Sequence, residues 1–197
     1  MDELSVFPNS AIHPAGVMSQ QFLSMGIDRF HAACRYVHQL PYGYNADRDD
    51  AMSLFKEGKG TCTTKHAVIA TLASETNLPI TKTIGIYAMT ESIVTGTNTI
   101  LSAAKLPYVP MIHCFLSYKQ HRVDLTEGNR NGKNCSIESF LHTAAVDPGI
   151  SEKDEYLLFR NALVNQIMKR RELQGIKMRA VLKAREAGLL LLKSKLD

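Results

Sequence analysis

The chain has 197 residues, 45% of them hydrophobic and 21% charged, with a formal charge of +4. That composition excludes a disordered tail, a collagen-like fibre and a long coiled coil, and it allows one core of ordinary size. No apolar stretch is long enough for a membrane span, so no membrane association is expected. The start, Met1-Asp2-Glu3-Leu4, lacks the basic-then-apolar pattern of a secretory signal. The four cysteines, Cys34, Cys62, Cys114 and Cys135, are too sparse for a disulfide scaffold. With no signal they are expected to be reduced thiols in a cytoplasmic protein.

In chain order, residues 1–18 carry Pro8, Pro14 and Gly16 and read as an irregular leader. Leu23, Ile27, Phe30, Cys34 and Val37 share one helical face, predicting a helix that ends before Pro41. A turn-rich stretch, Pro41 to Asn45, follows. Asp49 and Asp50 open a short helix that stops at Gly58 and Gly60. A second helix opens near Cys62 and runs to about Asn77, since Pro79 blocks its continuation. Residues 80–89 are rich in β-branched side chains and read as a strand. Residues 90–107 hold a short helix around Leu101–Ala104, in a connection long enough to serve as a lid. Residues 111–118 and 121–125 read as paired strands, 129–134 as a loop and 136–145 as a short helix. Residues 151–197 are helical, with Ser151 and Asp154 as an N-terminal signature and Gly175 dividing the segment in two. Helices, then an antiparallel sheet, then helices define an α+β class.

The charge is unevenly placed. Residues 151–197 hold eleven Lys or Arg against six Asp or Glu, and the first 150 hold twelve against thirteen. The expected organisation is therefore a near-neutral domain over 1–150 and a basic helical extension over 151–197. Lys169, Arg170, Arg171, Lys177, Arg179, Lys183 and Arg185 read as a solvated helix face, so nucleic-acid binding is not expected. The four leucines 189–192 suit docking on the domain or on a second copy of the chain.

Cys62 follows Gly58-Lys-Gly60-Thr61 and stands at a predicted helix start. Unpaired N–H groups there favour a thiolate and can hold an oxyanion. A thiol nucleophile needs a base, and the base an orienting group. His113, Phe115 and Ser117 share one strand face; Cys114, Leu116 and Tyr118 share the other. A two-residue turn at Lys119-Gln120 sets Phe115 opposite Asp124, which then lies diagonal to His113 on the same face. An odd-length turn would reverse Asp124.

The ordered triple Cys62, His113, Asp124, with Gly-Lys-Gly-Thr before the cysteine and Val-Asp-Leu-Thr126 in the second strand, resembles the transglutaminase-like superfamily over roughly residues 30–145. The resemblance implies the transglutaminase-like cysteine-proteinase fold. It implies Cys62 as nucleophile, His113 as general base then acid, and Asp124 as the orienter of His113. It implies a peptide or small amide substrate and makes 1–150 the catalytic domain. Phe115 stands where the family often has an aromatic two residues after the histidine, and Asp-Leu-Thr replaces its common Asp-Pro-Thr. The chain has no Trp, so the tryptophan that assists the oxyanion in true transglutaminases has no counterpart. Hydrolysis is thus expected over crosslinking. The superfamily also contains inactive members, so a non-catalytic interaction module is the alternative.

Further candidates surround the cysteine. Gly60 would let a substrate backbone approach, Thr61 precedes the thiol, and Tyr42, Tyr44 and Asn45 line a cleft or supply a second oxyanion donor. His66, one turn after Cys62, is either a rival base or a packed neighbour. Cys34 and Cys114 read as core, Cys135 as a loop thiol. With neither a C-x-x-C nor an H-E-x-x-H pattern, no metal and no cofactor are expected.

Overall fold

A computed structural model describes residues 3–196. Among them it is mixed α+β, with seven α-helices and a four-stranded antiparallel sheet. The helices are α1 (Val17–Ser24), α2 (Phe30–Gln39), α3 (Ser53–Glu57), α4 (Cys62–Glu75), α5 (Thr97–Ala104), α6 (Glu152–Asn165) and α7 (Met178–Lys193). The strands are β1 (Thr81–Met89), β2 (Val109–Tyr118), β3 (His121–Val123) and β4 (His142–Val146), in the order β3-β2-β1-β4. No described helix is long and apolar enough to cross a membrane.

Two compact units divide the chain. The first takes the chain to Ile84, then Cys114–Asn129 and Ala145–Ser151; the second takes Gly85–His113, Arg130–Ala144 and the chain from Glu152. This differs from the expected 1–150 and 151–197. The C-terminal helices do not stand apart: α7 packs on α5, and both belong with the intervening segments. The connection 90–107 holds α5, which extends the short helix expected around Leu101–Ala104.

In the first unit, α4 is the central helix. Buried residues run nearly all round it, from Cys62 through Ile69 to Ala73, as a helix enclosed by neighbours requires. Helix α2 buries one face, Phe30, Ala33, Cys34 and Val37. Leu116, Tyr118, Val123 and Leu125 join the same core. The β2–β3 register pairs Leu116 with Val123, Ser117 with Arg122 and Tyr118 with His121. That is the two-residue turn, and Lys119 adopts the left-handed φ of 53° that a tight hairpin needs.

The second unit has its own core. Phe159, Leu163, Ile167, Leu173 and Val181 pack with Ile86, Met89, Val109 and Met111. Gly188 of α7 packs there, where an added Cβ would lie 2.8 Å from Met89 Cε, the flexible end of a side chain that can shift. Leu189, Leu191 and Leu192 pack against this core, whereas Leu190 is 68% exposed.

Two elements depart from expectation. The face from Leu23 to Val37 is not one helix: Gly26 takes φ 74°, and an extended stretch pairs Ala11 with Arg29. Helical spacing across 23–37 survives because both helices face one core. Residues 136–145 are not a helix. They are loop and then edge strand β4, whose half-buried and exposed residues alternate, a strand period rather than a helical one. Gly175, at φ 79°, separates α6 from α7 as expected.

Candidate functional site

Cys62 is the first residue of α4 and is 7% exposed. Its loop is fixed from three sides. Pro41 to Gly43 pair with Gly60: Gly60 N–H donates to Pro41 O at 3.2 Å and Gly43 N–H to Gly60 O at 3.3 Å. Thr61 N–H donates to Thr64 Oγ1 at 3.0 Å, the hydroxyl closing the helix start. Asn45 bonds both sides of the loop, donating to Lys59 O at 3.0 Å and accepting from Thr64 Oγ1 at 2.9 Å. The Asn45 amide thus carries a structural task. Gly60 is also claimed by packing. A Cβ there would lie 2.7 Å from Thr64 Oγ1 and 3.0 Å from Leu54 Cδ1, so its missing side chain makes room for its own helix start.

Tyr42, set beside Cys62 by that pairing, points its hydroxyl at the Cys62 sulfur over 4.0 Å. Burial, and then the Cys62 charge, push the Tyr42 phenol well above its ordinary value. Tyr44 is pushed up to about 12, by burial first and by Cys62 second. Both phenols therefore keep their protons at neutral pH, and the Tyr42 hydroxyl remains a donor toward the thiol.

His66 is fully buried and its ring bridges two backbone groups. Nδ1 lies 2.6 Å from Cys62 O, which can only accept; Leu125 N–H, which can only donate, reaches Nε2 at 2.8 Å. These partners fix the neutral Nδ1–H tautomer and engage both nitrogens. His66 is a strut between the helix start and the chain after β3, not a base for the thiol. Asp124 Oδ1 lies 3.4 Å from the same Nε2. Its oxygen accepts from Thr126 N–H at 2.8 Å and Thr126 Oγ1 at 2.7 Å, a local turn that aims the carboxylate.

Lys65 was no candidate on sequence grounds, yet it is fully buried. Its ammonium donates to His38 O at 3.1 Å, to Leu40 O and to Asn129 Oδ1. Burial pushes it down to about 8, against the opposing pull of Asp124. Asn129 Nδ2 donates to His38 O at 3.0 Å, and His38 Nδ1 lies 3.1 Å from Leu125 O. Lys65 and His66 thus tie α4 to the end of α2 and to the turn after β3. The available signal was a charged residue inside an otherwise buried helix.

Cys62, Asp124, Tyr42, Tyr44, Asn45, Gly60, Thr61, His66 and Phe115 all belong to the first unit, whereas His113 closes a segment of the second. His113 is 2% exposed on β2, its ring edge-on to Tyr87 with centroids 6.5 Å apart. Phe115 is buried under the Arg122 guanidinium, 5.6 Å from its ring centre. Cys114 Sγ lies 3.6 Å from Thr63 Oγ1 of α4. Cys34 and Cys114 are buried and Cys135 is exposed.

Comparison with protein-family models, with curated proteins and with solved structures finds no match to this chain.

Proposed function

We propose that the chain is a cysteine-dependent hydrolase or acyltransferase acting on an amide or peptide bond. The observation that carries this reading is Cys62 at the first position of α4, with the protonated Tyr42 hydroxyl directed at its sulfur. Helix-terminal N–H groups favour the thiolate there and offer an oxyanion site at the Cys62 amide. In this reading the sulfur attacks the acyl carbon, and His113 takes the thiol proton and passes it to the leaving amine. A thioester forms. Water or a second amine then breaks it, returning the proton to the sulfur. Asp124 orients His113, and the phenols of Tyr42 and Tyr44 supply further donors to the oxyanion. The order of Cys62, His113 and Asp124 in the chain supports these roles.

Selective alkylation tests it. Iodoacetamide at pH 6 should modify Cys62 at least tenfold faster than a free thiol, and His113→Ala should abolish the advantage. A wild-type rate no faster than a free thiol rejects the reading. A peptide and amide substrate panel, with Cys62→Ala as control, then identifies the bond broken.

A second reading, an interaction module without catalysis, is favoured by one observation. Cys114 is the β2 residue that meets α4 at Thr63, and alternation turns the residue before it to the other face of the strand. Cys62 reactivity unchanged by His113→Ala supports this module.

A further inference from the structure

In the second unit, α6 and α7 are joined by two short 3-10 turns, Ile167–Lys169 and Arg171–Leu173. The connection is firmly seated. Ile167 and Leu173 are buried, Arg170 donates to Leu141 O at 3.2 Å, and the Tyr108 hydroxyl donates to Glu172 Oε1 at 3.2 Å. Lys169 and Arg171 stand on the turns, Lys177 at the N-cap of α7, and Arg179 and Lys183 on its first two turns; all five are exposed.

Residues 166–183 hold six Lys or Arg and one acid, Glu172, while the rest of the chain holds seventeen Lys or Arg against eighteen Asp or Glu. The net positive charge of the protein therefore sits in this stretch. Among the described residues its one ion pair is Arg170 with Glu172, 3.7 Å apart, which leaves the five exposed cations without a carboxylate. Arg185 is different. It lies over the Phe159 ring at 4.6 Å and feels the carboxylates of Glu155, Glu186 and Glu152. Arg179 and Lys183 share the exposed face of α7 with Glu186, Leu190 and Lys193, opposite the buried Val181, Ala184 and Gly188. No side chain caps α7 and no acid stands in its first turn, so the terminal N–H groups add partial positive charge at the same end. Residue type alone read these cations as a solvated face; their seating on a fixed turn and their want of carboxylates change that reading.

The make-up of the patch selects its partner. Residues 166–183 expose no aromatic or large apolar side chain. The patch therefore offers no platform for stacking single-stranded bases, nothing to insert among lipid chains and no apolar anchor for a protein interface. It presents charge along a helix edge, which suits a regular array of phosphates. The major groove of B-form DNA, about 12 Å wide, accepts a helix, whereas that of duplex RNA is deep and narrow.

We propose that residues 169–183 form a docking surface for the phosphate backbone of duplex DNA, without base selection. The surface is separate from the thiol chemistry and does not depend on it. Fluorescence anisotropy of a labelled duplex of about 20 base pairs, titrated with the full chain, tests it. The expected dissociation constant is micromolar at about 50 mM NaCl. About four or five phosphate contacts give log affinity against log salt a slope of about −3.6 to −4.5, a fall of about 100- to 500-fold by about 200 mM. Arg179→Gln combined with Lys183→Gln should flatten that slope by about 2. Removing the same charge from two other exposed positions, by Arg130→Gln with Lys153→Gln, should leave it unchanged, as should Cys62→Ala. No binding at about 50 mM, a slope shallower than about −1, or equal losses in the two double variants overturns the proposal. Competition against the wild type reads the class of partner without any variant. Unlabelled DNA duplex should displace the probe better than RNA duplex of the same sequence, the single strand, polyglutamate or phosphatidylserine vesicles. A better competitor among these overturns the assignment to duplex DNA.

Discussion

Replacing His66 separates the strut from the rival base. In His66→Ala, Leu125 N–H loses its acceptor in a buried setting, at a cost of about 1–3 kcal/mol. The ring also leaves a void. At about 24 cal/mol per Å³ over roughly 60 Å³, that adds about 1.5 kcal/mol. The expected total is about 3–4 kcal/mol, read as a lower midpoint in urea with the m-value unchanged. His66→Gln can return an acceptor near the Nε2 position, and should recover about 1–2 kcal/mol. The same variant should leave the Cys62 alkylation rate within about threefold of wild type, because a bridging ring moves no proton. A loss under about 1 kcal/mol in His66→Ala would refute the bridging role. So would a hundredfold fall in Cys62 reactivity in a folded His66→Gln, which would make His66 the base.

Three other outcomes are expected. Lys65 sheds its proton near pH 8 in the folded chain, while the unfolded chain holds it to about 10.5. Between those values the unfolded state binds more protons, so this group makes stability rise with pH, by at most about 1.4 kcal/mol per unit. The penalty is present in full below pH 8. Urea titrations from pH 8 to 10 should show that slope in the wild type and its absence in Lys65→Met. Gly60→Ala drives a Cβ to 2.7 Å from Thr64 Oγ1 and 3.0 Å from Leu54 Cδ1, and should cost about 1–3 kcal/mol in urea unfolding. Gly85→Ala places a Cβ 2.2 Å from Phe140 Cδ1. Phe140 must swing away, and limited proteolysis should then cut the 130–141 loop faster than in the wild type.

Much of the architecture could be read from residue order. Gly58 and Gly60 before Cys62 marked a helix start, Pro79 marked its limit, and Lys119-Gln120 set the hairpin register that the structure shows. What escaped depended on tertiary neighbours. Leu23 and Ile27 fit the helical period of Phe30 and Cys34, yet Gly26 turns the chain between them. Residues 136–145 read as a helix, but the sheet edge beside β1 recruits His142–Val146 as a strand. For the site, a cysteine at a helix start was legible because local backbone creates its field. The tasks of Asn45, Gly60, Lys65 and His66 were not. Each is defined by a partner far along the chain or by a packing contact, and residue type alone does not name either.

The interleaving of the two units sets a timetable for synthesis. The first unit opens with the chain up to Ile84 but also requires Cys114–Asn129 and Ala145–Ser151. A ribosome adding about 5–20 residues per second reaches Ser151 several seconds after Ile84. In that interval the growing chain carries α4 and its core residues without the β3 turn that holds Lys65 and His66. The buried cation and the bridging ring then lack their later partners, Asn129 and Leu125. The yield of folded chain should therefore respond to elongation rate between codons 85 and 151.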